Sequence, residues 1–250
     1  MNVDYQDQVV IVTGGAGHIG SAIAQAYQDA GAKVVICGRK PPEDVDGKAS
    51  FIQADLRDST QAEAVIDTTM ERFGRIDVLV NNAGGTPPVA AADSPPALTE
   101  KIIQLNLIAP LVLSRKAQAV MTAQESVGNI INIASVSGVR PSPGTMAYGA
   151  AKAGLISATR SLAQEWGPGI RVNAIVVGLV RNDAGVEHYG GEEGFARVAD
   201  MLPLKRMAEP EDIASACLYL SSQQAAYVSG ATLEVDGGGE APVFLYLAEH

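Results

Sequence analysis

Val9-Val-Ile-Val-Thr13 runs without interruption into Gly14-Gly15-Ala16-Gly17-His18-Ile19-Gly20. A short apolar segment that ends in glycines suits a strand covered on both faces, as strands are in a parallel sheet. Ile23, Ala26 and Ala30 then recur at helical spacing, and Gly31 supplies a stop. The unit is strand, turn, helix. The same alternation continues with strands over 33–37 and 51–54, a helix over 60–73, a strand over 76–81, a helix from about Thr99 and a strand over 129–134. A helix carrying Tyr148 and Lys152 follows, then a strand over 171–176, a glycine-rich stretch to Gly194, helices near Ala196 and Ile213, and a last strand over 232–235. Thr60 with Glu63 reads as a capping box that places the start of its helix. Such alternation implies right-handed crossovers, so the expected fold is α/β, a doubly wound parallel sheet of about seven strands with helices on both faces.

A chain of 250 residues, 47% of them hydrophobic, buries one large core, and no Pro/Gly/Ser-rich linker divides it. A single domain over 1–250 is expected. The N-terminus lacks a basic segment followed by an apolar run, and no stretch has the ~18 uninterrupted apolar residues of a membrane span, so a cytoplasmic protein is expected. Cys37 and Cys217 form no disulfide framework and read as reduced core residues. His18, His188 and His250 lack metal-ligand spacing, and no metal site is expected. A net charge of −10 repels phosphate backbones and anionic membranes, which argues against nucleic acid and membrane partners.

Three patterns carry chemistry. The glycine turn leads into a helix whose first amides and positive dipole end suit a pyrophosphate; Gly14 permits the tight turn, and Gly20 lets helix and strand pack closely. Tyr148 and Lys152, at i and i+4 on one helix, point from the same face, so the ammonium can bias the phenol, ordinarily near ~10, toward ionisation. Taken alone, such a pair is more often a solvated surface. At the end of the second strand a dinucleotide site that prefers NAD carries an acid, whereas this chain has Gly38, Arg39 and Lys40. Nothing there repels a 2′-phosphate, and the Arg39 guanidinium can grip it bidentately. The bland reading is a pair of solvated loop charges.

These motifs, with Asn81-Asn82-Ala83-Gly84, Asn106, Asn132-Ile-Ala-Ser135, Arg171-Val-Asn173, Pro210-Glu-Asp-Ile-Ala214 and 230–238, fall in the order of the short-chain dehydrogenase/reductase family, which the chain resembles from Val9 to about Gly238. The resemblance implies a Rossmann-type fold with a cofactor half over roughly 1–135 and a catalytic and substrate half over roughly 136–250. It implies that Tyr148 exchanges the proton, Ser135 bonds the same substrate oxygen, Lys152 lowers the tyrosine pKa and reaches the nicotinamide ribose, and Asn106 holds a water linking lysine to solvent. Ser135 could otherwise be a strand-end turn residue and Asn106 an ordinary buried amide. Gly14, Gly17, His18, Ile19 and Gly20 would surround the pyrophosphate, Asp55 and Leu56 the adenine, and Asn82, Ala83 and Gly84 the cleft floor. His18 stands where the family usually has glycine and is expected in the left-handed conformation. Gly178, Val180 and Asn182 replace the family's usual Pro-Gly and threonine region at the nicotinamide amide. A mobile lid over roughly 182–210 would carry His188 and Tyr189 as candidates for substrate contact, the bland reading of both being solvent-facing loop residues, and 85–96 would form another wall of the mouth.

The leading expectation is an oxidoreductase that interconverts a small-molecule carbonyl and a secondary alcohol, with NADP(H) preferred and NAD(H) the alternative, similar to 3-oxoacyl-(acyl-carrier-protein) reductases. An NAD-dependent alcohol, sugar or steroid dehydrogenase of the same family is a second reading, and a dinucleotide-binding redox sensor without turnover a third. The family's extended epimerases and dehydratases need a longer substrate domain than this chain supplies, and a hydrolase would need a histidine or a Gly-x-Ser-x-Gly elbow at Ser135. The resemblance also implies a homotetramer, paired through the helices around Asn106 and Tyr148 and through the apolar tail over 241–248.

Overall fold

Strand β1, Val9–Thr13, is buried along its whole length and pairs in parallel with two strands, so Val10 has Val34 on one side and Val78 on the other. These relations come from a computed structural model that describes residues 4–41, 49–124, 126–182, 186–187 and 189–242. The remaining strands are β2 (Lys33–Gly38), β3 (Ser50–Gln53), β4 (Val78–Asn81), β5 (Gly128–Ser135), β6 (Ile170–Val177) and β7 (Thr232–Val235). All seven form one parallel sheet in the order β3-β2-β1-β4-β5-β6-β7. The order reverses between β1 and β4, and such a reversal opens a crevice at the strands' carboxyl ends.

Both faces are covered. On one, α1 (His18–Asp29) and α7 (Pro210–Ser221) bury Ile23, Tyr27, Ile213 and Leu220 against Val10, Val12 and Ile131. On the other, α2 (Ser59–Phe73), α4 (Ala109–Thr122) and the end of α5 (Met146–Trp166) pack on Ile11, Leu79 and Ile130. Side chains on alternate positions of each strand feed the two cores in turn, which is why the central strands read as unbroken apolar runs. Cys37 and Cys217 are free and buried, and burial pushes the Cys37 thiol up to about 12.

Several expectations need correction. Helix α2 is capped by Asp58, whose carboxylate accepts from the Thr60 and Gln61 amides at 2.9 and 3.3 Å, so Thr60 lies inside the first turn. Glu63, assigned to a capping box, instead pairs with Arg115 at 2.5 Å. A capping box does occur at α7, between Glu209 and Asp212. The helix expected from about Thr99 begins as α3 at Pro96 (Pro96–Ile103) and passes through a π-helical stretch, Gln104–Ile108, into α4. Pro110 explains the widening: it has no N–H for the Asn106 carbonyl four residues back, and the Ala109 amide bonds Gln104 instead. The joined run Pro96–Thr122 passes a length and composition test for crossing a membrane; here it packs on α2, α5 and the sheet as part of one helix layer. The apolar tail over 243–248, His188 and residues 183–185 of the lid lie outside the described residues.

Candidate active site

The crevice above β1 and β4 opens into a cleft of about 1330 Å3. Its floor is organised by Thr13, whose hydroxyl oxygen accepts the Asn82 and Ala83 amides, both at 2.9 Å, while the Asn82 side chain donates to the Thr13 carbonyl at 2.9 Å. Thr13 reads in sequence as the end of a strand; its role as a tie between two strands needs the β1–β4 pairing to be known. In the glycine turn only Gly14 is left-handed, at φ +63°, and the Gly17 amide closes the turn onto the Gly14 carbonyl at 2.9 Å. A Cβ on Gly20 would stand 2.2 Å from that same carbonyl, so helix α1 reaches the turn only because this position is bare.

His18 departs from expectation. It is the first residue of α1, not a left-handed one, because Gly17 already takes the extended N-cap conformation and the chain needs no further reversal. No side chain caps α1, which leaves its first turn of amides turned toward the cleft that Gly17, His18, Ile19 and Gly20 line. A phosphate is the natural complement of such a helix end.

At the far end, β5 delivers Ser135 and α5 delivers Tyr148 and Lys152 to the same cleft. Two glycines permit this approach: a Cβ on Gly138 would lie 2.8 Å from the Lys152 carbonyl carbon, and one on Gly149 would lie 2.7 Å from the Ser137 carbonyl oxygen. The turn after β5 and the helix α5 therefore meet backbone to backbone. Ser135 accepts the Ser137 amide at 3.2 Å and stands within hydrogen-bond reach of the Tyr148 phenol. Lys152 is 2% exposed, donates to the Ile133 carbonyl at 2.7 Å and lies 5.5 Å from the Tyr148 ring centre. Burial lowers the ammonium from 10.5 to about 8. Burial also raises the phenol above 10.0, and the Ser135 hydrogen bond pulls only partly the other way. The expected lowering of the tyrosine is thus not what this geometry produces, since loss of water around a phenolate outweighs the hydroxyl's help.

Asn106 is fully buried beneath the floor and does not line the cleft. Its amide nitrogen donates to the Ile102 and Gly85 carbonyls at 2.9 and 3.0 Å, and its oxygen accepts the Gly85 amide at 2.9 Å. That oxygen would be 2.6 Å from a Cβ on Gly84, and the Lys152 ammonium 3.3 Å from it. Asn106, Gly84 and Lys152 therefore meet at one point, with the Asn106 carbonyl deprived of its ordinary helical donor by Pro110.

A model of the family described as Enoyl-(Acyl carrier protein) reductase matches residues 14–240, spanning turn, floor and α5 alike. The chain belongs to the short-chain dehydrogenase/reductase family. It is 33% identical over 245 residues to the probable 2,4-dienoyl-CoA reductase of Bacillus subtilis, covering 93% of this chain and 96% of the relative. It is 35% identical over 243 residues to the 3-oxoacyl-[acyl-carrier-protein] reductase of Synechocystis, covering 92% and 96%. The solved ligand-free aldohexose dehydrogenase of Thermoplasma acidophilum superposes with a TM-score of 0.88 at 30% identity, covering 94% of each chain. This short-chain dehydrogenase/reductase is accordingly an oxidoreductase of a family that uses a nicotinamide dinucleotide. The bare glycines, the uncapped helix end and a cleft of this size fit such a cofactor.

Gly14, Gly17, His18, Ile19, Gly20, Arg39, Asp55, Leu56, Asn82, Ala83, Gly84, Gly178, Val180 and Asn182 all line the one cleft. Where β2 and β3 end in the cleft, the enzyme adds a residue that sequence reading passed over. Arg57 grips Asp55 through two nitrogens, at 2.9 and 2.5 Å, and holds that carboxyl down to about 2, with Arg39 contributing. Three cations, Arg39, Lys40 and Arg57, thus stand in the cleft wall beside one carboxylate. The spacing Asp55-Leu-Arg57 at a strand end was the only available signal. Leu179 and Arg181 bond Ala208 in a parallel bridge at Val180, so the amide of Val180, a cleft-lining residue, points away from Ala208. Thr86, Pro88, Thr145 and Tyr189 line the mouth. Helix α6 (Gly191–Met201) follows, its Phe195 clustered with Leu202 and Met207 against the cleft residues Leu179 and Tyr189.

Proposed function

We propose that this enzyme interconverts a carbonyl and a secondary alcohol, with NADP(H) as its preferred cofactor and Tyr148 as general acid and base. The observation that carries the reading is the convergence of Ser135, Tyr148 and Lys152 in the cleft that begins at the glycine turn. When bound, the nicotinamide supplies or accepts the hydride. Tyr148 gives its phenolic proton to the substrate oxygen in reduction and recovers it in oxidation, and the Ser135 hydroxyl donates to the same oxygen as charge develops. Lys152, charged below about 8, favours the phenolate form that follows proton transfer. Asn106 supports Lys152 from beneath and offers its carbonyl to a water that links the lysine to solvent.

The cofactor preference rests on Gly38, Arg39 and Lys40, with Arg57 beside them. No carboxylate ends β2 to hold an unphosphorylated ribose. The substrate is a small molecule, in the manner of the aldohexose relative, and the working assembly is a cytoplasmic homotetramer. Turnover of a panel of ketones, 3-oxoacyl thioesters, sugars and secondary alcohols, followed by nicotinamide absorbance with each cofactor, tests the whole reading. A dinucleotide that binds but is never oxidised or reduced across the panel would favour the redox-sensor alternative.

A further inference from the structure

The His18 ring reaches out of the glycine turn to the segment that carries Val180, where its Nε2 lies 2.5 Å from the Arg181 carbonyl oxygen. A carbonyl only accepts, so Nε2 carries the proton and donates. Arg181 is in turn tied into the lid. Its amide bonds the Ala208 carbonyl at 2.9 Å, and its guanidinium stands 5.3 Å from the Phe195 ring centre and 3.9 Å from the Glu192 carboxylate of α6. Phe195 belongs to the small apolar cluster with Leu202 and Met207 on which α6 rests. One side chain therefore joins the turn that faces the phosphates to the segment that carries the lid helix. A glycine at position 18 would have no group to make this bond.

We propose that His18 is a positioning residue for the dinucleotide, acting through the Arg181 carbonyl to hold residues 179–182, and the helix α6 that Arg181 contacts, against the glycine turn. The inference rests on the dinucleotide reading of this cleft. His18 and Val180 line the same cleft, and the hydrogen bond to Arg181 ties the glycine turn to the segment that carries Val180, so its opening is expected to ease cofactor exchange. A single bond of this kind is modest, and its loss should change exchange by about an order of magnitude. It should act on dissociation more than on the chemical step.

The test compares His18→Ala and His18→Gly with His18→Gln, whose amide nitrogen can still donate to the carbonyl. NADPH dissociation, read by stopped-flow displacement of its fluorescence, should speed up about tenfold in the first two variants and stay within two- to threefold of wild type in the third. The KM for NADPH should rise by a larger factor than any change in kcat. In the protein without cofactor, hydrogen exchange of amides over 179–182 and 191–201 should accelerate in His18→Ala and stay near wild type in His18→Gln, with melting temperatures checking that each variant is folded. Unchanged dissociation and exchange in folded His18→Ala and His18→Gly would overturn the proposal. Failure of wild type to bind either dinucleotide would overturn the site reading, while the exchange measurement would still report on the His18 bond itself.

Discussion

Lys152 and Tyr148 share one face of α5, yet the ammonium gives its 2.7 Å hydrogen bond to the Ile133 carbonyl and meets the tyrosine at 5.5 Å from the ring centre. The lysine is thus anchored to β5 and presents charge to the phenol without binding its oxygen. That arrangement leaves the phenol oxygen open to Ser135 and to a substrate.

Tyr148→Phe should abolish turnover, by at least about 10²–10⁴-fold in kcat, because it removes the proton donor and keeps the ring's packing. Dinucleotide affinity, measured by fluorescence titration, should stay near wild type. Retention of most activity would refute the assignment of Tyr148.

Gly138→Ala tests placement without deleting a functional group. The new Cβ would stand 2.8 Å from the Lys152 carbonyl carbon, and helix backbone cannot yield as a flexible side chain does. Separating α5 from the turn after β5 should cut kcat by one or more orders of magnitude and lower the melting temperature. A fully active, equally stable variant would show that the close approach is dispensable.

Lys152→Met should lose activity yet be at least as stable as wild type at pH 7. The folded lysine titrates near 8 and the unfolded one near 10.5, so between those values the unfolded chain binds more protons and rising pH favours the folded state. Burial of the charge costs most below pH 8. Removing it should therefore stabilise by about 1–3 kcal/mol at neutral pH, after allowance for the lost bond to Ile133, and the advantage should shrink toward pH 10. Melting curves across that range decide it; a variant destabilised at pH 7 would contradict the argument.

NADPH should exceed NADH in kcat/KM by one or two orders of magnitude, since a charge-assisted pair contributes roughly 1.5–3 kcal/mol. Gly38→Asp with Arg39→Leu should reverse the order. Among the described residues the space exists, because a Cβ on Gly38 would meet there only the Lys40 carbonyl, at 3.9 Å. NADPH affinity should also weaken with salt more than NADH affinity does. Equal efficiency in wild type would show that Arg39 and Lys40 stay in solvent.

Light scattering at micromolar concentration should give the mass of four chains. A monomer would refute the assembly, and with it the pairing through the helices around Asn106 and Tyr148.

Local pattern by itself determined the architecture and most of the cleft wall. Continuous apolar runs, helical spacing and glycine stops depend on neighbours within a few residues, and they set β1 through β7 in order with only small shifts at the ends. Motif spacing likewise named Gly14, Ser135, Tyr148 and Lys152. Tertiary structure alone decided what distant segments do to one another. The π-helical turn at Asn106 combines a local cause, Pro110, with a consequence that exists only where Gly84 and Lys152 come near. The tie from Thr13 to Asn82, the raised phenol and the His18 bond to Arg181 depend on burial and on contacts as far as 163 residues apart. Desolvation and long-range hydrogen bonds are properties of the packed molecule, and no window of sequence contains them.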